Sequence, residues 1–231
     1  MVERVDVGVG RILASLDRLG LRESTIVIFT NDNGGEWLSH GGPLFHHKGS
    51  VWEGGIRVPA IVRWPGRIPA GTVTTQVGIT MDLSASILAA TGTPVPPEAR
   101  LEGMNLFPVL EAQAPVIERT LFWRVGRAAA AGRGAAPAAG RGAAPAAGRG
   151  AAGITQAAAQ QGGGQQAVRS GDWKLIVDGN RAMLFNLRED IGERTNVIGK
   201  HPDIARRLRP LLAAWQADVD ADARRLMSGS Q

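Results

Sequence analysis

The sequence contains no cysteine. That excludes disulfide bonds and zinc sites built on thiolates, and it removes one common protein nucleophile. No run of about 18 or more apolar residues occurs, so no transmembrane helix is expected. Met1-Val2-Glu3-Arg4 opens directly into an amphipathic pattern and lacks the apolar core of a signal peptide. Acids are missing locally: residues 126–167 carry Arg127, Arg133, Arg141 and Arg149 but no Asp or Glu. Those arginines supply most of the formal charge of +5, so the basicity belongs to one segment and not to a folded face. No aromatic residue interleaves with them, and a stacking platform for bases needs such residues. A nucleic-acid partner is therefore not expected.

What is present reads as an α/β chain of 231 residues, 44% of them hydrophobic, enough for one large domain or two small ones. Val2, Val5, Val9, Ile12, Leu16 and Leu19 recur at helical spacing and form one apolar stripe, with Gly20 placed as a stop. Thr25-Ile26-Val27-Ile28-Phe29-Thr30 is a β-branched run of the kind found in buried parallel strands, and it ends in the turn residues Asn31-Asp32-Asn33-Gly34-Gly35. Ligands of open α/β sheets bind outside such strand ends. A Gly-rich loop spans 34–55. Residues 57–64 read as a further strand, with Pro59 marking an edge or bulge. Residues 82–90 read as a short helix closed by Gly92 and Pro94.

From about residue 118 the pattern changes. Four short strands are expected at 121–125, 167–170, 173–177 and 183–187, with a turn at Asp178-Gly179-Asn180. A helix then starts at Asp203, after Pro202, carrying Ile204, Leu208, Leu211, Leu212, Trp215 and Val219. This is a small antiparallel α+β unit. The expected division is therefore 1–117 and 118–231, the second part interrupted by 126–167. There Gly-Arg-Gly-Ala-Ala-Pro-Ala-Ala occurs at 132–139 and again at 140–147. Such a composition buries too little surface to offset its ordering entropy, and disorder is expected.

Two features carry chemistry. Asp32 and Asn33 are hard oxygen donors suited to Ca2+ or Mg2+, although Asp-Asn-Gly is also an ordinary turn. Lys48, in His46-His47-Lys48-Gly49-Ser50, can reach an oxyanion as a point charge, although most lysines are solvated surface groups.

Together the motifs say more. Thr30-Asn31-Asp32-Asn33-Gly34-Gly35, then Lys48-Gly49-Ser50, then Trp52-Glu53-Gly54-Gly55-Ile56-Arg57-Val58-Pro59 resemble the C-terminal signature of type I, formylglycine-dependent sulfatases. Residues 5–13, Trp64-Pro65-Gly66, Ile68-Pro69-Ala70-Gly71, and Asp82 ahead of Leu88-Ala89-Ala90-Thr91-Gly92 resemble the same family. So do residues 168–176 and Leu184-Phe185-Asn186-Leu187, and the likeness runs over 1–125 and 167–215. The resemblance implies the C-terminal part of an alkaline-phosphatase-like sandwich followed by a small antiparallel subdomain. It implies Asp32 and Asn33 as Ca2+ ligands and Lys48 as a sulfate-binding residue. It also implies a sulfate ester substrate, carbohydrate or aryl, and a family often exported in bacteria. His46 and His47 depart from the family pattern. His46 is a further candidate for substrate contact, as is His40, against the commoner reading of solvated loop histidines. Glu53 and Arg57 read as a structural ion pair holding the Gly54-Gly55 turn, and Trp52 and Trp64 as core.

The family nucleophile is formylglycine, made from Cys or Ser in a Cys/Ser-x-Pro/Ala-Ser-Arg motif, and no such motif occurs in these residues. No catalytic residue is therefore assigned. Ca2+ takes 6–8 oxygen ligands, and Asp32 and Asn33 offer two or three, so calcium binding is expected to be weak. A chain of this kind is expected to be a fragment that does not turn over a sulfate ester alone. Two alternatives stand beside this reading: a phosphoryl or phosphonate ester hydrolase of the same superfamily, and a non-catalytic binding protein that uses the Arg-Gly repeat.

Overall fold

The computed structural model describes residues 2–126 and 164–228. The expectation of disorder falls mainly on 127–163, outside the described residues. Its C-terminal boundary moves, because Gln165 and Gln166 already belong to a strand. A backbone ladder needs no large side chains, so a polar, Gly-flanked stretch can still pair. Among the described residues no helix is long and apolar enough to cross a membrane.

The chain divides into two compact units, one of residues 1–32 and 58–119, the other of 33–57 and 120–231. In the first, helix α1 (Val2–Arg18) follows the predicted stripe and ends before Gly20, whose φ of +68° is the left-handed turn that stops it. None of its residues is buried. Strand β1 (Val27–Thr30) pairs with β2 (Ala60–Arg63) in a two-stranded sheet, Val27 opposite Arg63 and Thr30 opposite Ala60. This corrects the expectation of a buried parallel strand. The pairing is antiparallel, and Phe29 and Ile61 are exposed. A β-branched composition reports a tendency to pack in a pleated surface and carries no information about the direction of the partner. β2 starts directly after Pro59, whose carbonyl accepts a hydrogen bond from Thr30 Oγ1 at 3.0 Å.

Helix α3 (Thr80–Thr91) begins where Asp82 reaches back to accept the Ile79 N–H at 2.7 Å, and it ends at Gly92 with φ +64°. Asp82 is fully buried and also accepts from Met104 N at 2.9 Å and Arg119 Nη1 at 2.5 Å. A short helix α4 (Phe107–Leu110) sets Phe107 edge-on to Trp64, with ring centres 5.1 Å apart.

The second unit is built on strands β3 (Thr120–Val125), β4 (Gln165–Ser170), β5 (Trp173–Asp178) and β6 (Arg181–Asn186), antiparallel in that order. Strand alternation gives the sheet two apolar faces. Val168, Leu175 and Leu184 pack against Ala205, Leu208 and Leu212 of helix α5 (Pro202–Ser228). Ala167, Ile176 and Phe185 pack instead against Val51 and Trp52 of the Gly-rich loop. Pro202 opens α5 at the position where a missing N–H is harmless. The loop that carries the candidate site is therefore seated on one face of this sheet.

Candidate functional site

The loop of residues 33–57 contains one short helix, α2 (Glu53–Ile56), and is otherwise held by backbone crossings. Gly34 N donates to Gly55 O at 2.9 Å, Lys48 N to Gly35 O at 2.9 Å, and Gly54 N to Phe45 O at 2.8 Å. Glycine is required at two of these crossings. A Cβ on Gly34 would lie 1.8 Å from the Gly54 carbonyl oxygen, and one on Gly54 would lie 2.2 Å from that of His46. The glycines thus let three stretches of chain pass at van der Waals contact.

Asp32 and Asn33 occupy the bend after β1, Asp32 exposed and Asn33 half-buried. Lys48 is brought beside the 33–35 stretch by its backbone bond to Gly35. Its ammonium lies 3.0 Å from Glu36 Oε1, with Glu36 largely exposed. His46 sits at φ +62°, a left-handed conformation rare for a side chain with a Cβ. Its ring packs at 4.4 Å from Phe45 and 5.2 Å from Trp52. Burial lowers its pKa, the charges of His47 and Arg194 lower it further, and Asp178 opposes them. His47 stands edge-on to Trp37 at 4.6 Å, its Nδ1 2.9 Å from Lys48 O. His46 and His47 are thus half-buried members of an aromatic cluster, which for His46 departs from the reading of a solvated loop histidine. His40 is exposed. Trp52 is buried, as expected of a core residue.

A buried charge network lies beneath the loop. Lys174 Nζ is 2.8 Å from Glu53 Oε1 and 2.8 Å from Glu193 Oε1, with the lysine and Glu193 side chains at 0% exposure and that of Glu53 at 3%. Glu193 Oε2 also accepts the Glu53 backbone N–H at 2.6 Å, and Arg57 Nε donates to Glu53 Oε2 at 2.5 Å. Burial pushes the Glu53 carboxyl up, but Lys174 and Arg57 outweigh it and hold the group below its ordinary value. For Glu193 burial wins: the carboxyl is raised, with Lys174 and the Glu53 N–H opposing and the Glu53 charge reinforcing the shift. The Glu53–Arg57 pair was legible in sequence. Lys174 and Glu193 were missed. Lys174 shares strand parity with the buried Ile176, so it points to the same face, and an inward lysine signals a buried pair. Glu193 lies in a loop where no periodicity operates.

Ca2+, the metal implied by the resemblance, needs 6–8 oxygen donors. Among the described residues no group of three or more His, Cys, Asp or Glu side chains could hold a metal ion. The donors present, Asp32 and Asn33, do not fit a complete Ca2+ site.

Residues 1–93 match the sulfatase family model. The N-acetylgalactosamine-6-sulfatase of Rattus norvegicus is 38% identical over 136 residues, covering 56% of this chain and 26% of that protein. The steryl-sulfatase of Mus musculus is 38% identical over 123 residues, 49% of this chain and 20% of that protein. Over these stretches the chain is similar to sulfatases. The crystal structure of Ps i-CgsB superposes with a TM-score of 0.70 at 24% identity, over 91% of this chain and 41% of that one, and shares its alkaline-phosphatase-like fold. The sulfatase resemblance read from the motifs is borne out. The chain spans about a fifth to a quarter of the length of these curated relatives.

Proposed function

We propose that this chain supplies the anion-binding side of a sulfate-ester hydrolase. The observation that carries the reading is that the stretch matched to sulfatases contains the loop that presents Lys48. The relatives act, by name, on an amino-sugar sulfate and on a steryl sulfate. What those share is the ester, so the reading is made at that level. A compact ammonium at a glycine-flanked turn suits the three equivalent oxygens of a sulfate. Asp32 and Asn33 enter as a minority of the oxygen donors of a Ca2+, and no step is assigned to that ion. The nucleophile is not among these residues.

Glu36 competes for Lys48. An exposed ion pair of this kind contributes about 0–1 kcal/mol, so a sulfate can displace it. Titration of the chain with inorganic sulfate, read by NMR with chloride as the control anion, should give saturable shifts at residues 45–50. Lys48→Ala should abolish them, and Glu36→Gln should tighten binding by up to about fivefold, the equivalent of ~1 kcal/mol. Shifts that persist unchanged in Lys48→Ala would overturn the reading.

A further inference from the structure

We infer that Lys174, with Glu53 and Glu193, is a positioning device for the loop that presents Lys48; its bearing on anion binding rests on the proposed function.

The geometry carries the inference in four steps. Lys174 projects from β5 onto the sheet face that receives Val51 and Trp52, so its ammonium is delivered under the loop by a strand fixed on both sides by its neighbours. Arg169 lies directly opposite it on β4. Two cations side by side on an inward face repel, and they require anions from whatever covers them. Glu53 supplies one from the loop itself, and the two residues that follow it make the crossings: Gly54 N reaches Phe45 O, and Gly55 O receives Gly34 N. Fixing Glu53 therefore fixes the segments on either side of Lys48. Glu193 completes the clamp by pairing with the Lys174 ammonium and accepting the Glu53 N–H.

Backbone strain marks the same place. Glu193 has φ +52° and His46 φ +62°, both left-handed conformations of residues with a Cβ. Gly192 passes under the Pro43 carbonyl, where a Cβ would lie at 2.7 Å, and the Arg194 guanidinium lies 4.7 Å from the centre of the Phe45 ring. Conformations of that kind persist only where the surroundings over-determine them. The salt-bridged carboxylates and these packing contacts supply that determination.

The test is hydrogen exchange on the full 231-residue chain, comparing Lys174→Met with the unsubstituted protein. Loop amides that are hydrogen-bonded across crossings, those of Gly34, Lys48 and Gly54, should exchange about tenfold faster or more, while the β4 and β5 ladder amides stay as they were. Equal acceleration across the second unit would mean a merely structural lysine and would overturn the inference, as would unchanged loop amides. Should Lys174→Met not fold, Glu193→Gln carries the same comparison, because it keeps one carboxylate for the lysine while placing an amide N–H₂ where an acceptor is needed. A parallel titration with inorganic sulfate separates the two readings. No sulfate binding with a loosened loop leaves the positioning role standing and the proposed function refuted. Sulfate binding with an unmoved loop does the reverse.

Discussion

At the scale of residues, the two carboxylates on Lys174 are shifted in opposite directions, and pH exposes the difference. One lysine cannot fully satisfy two buried anions, so Glu53, with Arg57 in addition, holds its charge while Glu193 resists charging. The linkage signs follow. Glu53 contributes stability above its ordinary value of 4.5, lost as pH falls through its lowered folded value. The raised Glu193 contributes stability below 4.5, lost as pH rises through its folded value. Glu193→Gln removes only the second effect. Relative to the unsubstituted chain, the variant should therefore gain stability as pH rises above 4.5, then level off. Urea unfolding at pH 4, 6 and 8 checks this; a difference independent of pH would refute the assignment. Sequence showed Glu53 and Arg57 because they are i,i+4 neighbours within a motif. It could have shown Lys174 by strand parity. Glu193 is placed by a left-handed loop residue, and nothing local in the sequence encodes that.

At the scale of elements, periodicity was informative wherever one face of an element is covered by another. The four strands of the second unit and the helix over them follow their apolar patterns to within two residues or so at the strand ends. It misled at β1, where apolar residues stand exposed in a two-stranded antiparallel pair. Helix α3 shows how a single buried acid can organise its surroundings. Asp82 caps the helix start, fixes Met104 N, and pairs with Arg119, whose side chain is 14% exposed. Removing only the cation leaves a desolvated carboxylate with two amide donors and no counter-charge. Arg119→Met should destabilise the first unit by about 3 kcal/mol, since breaking a buried pair from one side typically costs 3–5. Arg119→Lys should recover part of that loss. Exchange of α3 amides would report both, and a loss below about 1 kcal/mol in the methionine variant would contradict the role.

At the scale of the whole molecule, the buried apolar residues are unequally divided. Phe107 and Val109 belong to the first unit, and the rest, from Val51 and Trp52 through Leu212, belong to the second. A fully buried Leu, Ile or Phe contributes roughly 1.5–3 kcal/mol. The first unit relies instead on the Asp82 network and on Trp64, whose ring is flanked by Phe107 and by the Arg67 guanidinium at 4.1 Å. Composition alone could not reveal this division, because hydrophobic residues are common in α1 and β1 as well as in the covered strands; only the tertiary packing separates exposed from buried. Nor could it show that residues 33–57 pack with the sheet that follows them in sequence by more than sixty residues. The consequence is measurable. Native-state hydrogen exchange should give β1 and β2 amides protection free energies at least about 2 kcal/mol below those of β4 and β5, with α1 lower still, since a helix of its length without a buried face is marginal in water. Lys48, anchored through Gly35 and seated over the second core, should group with β4 and β5 and not with β1. That grouping matters for the proposed function: a lysine that meets a sulfate must be held by the more stable of the two cores, and equal protection of β1 and β4 would remove the basis for that argument.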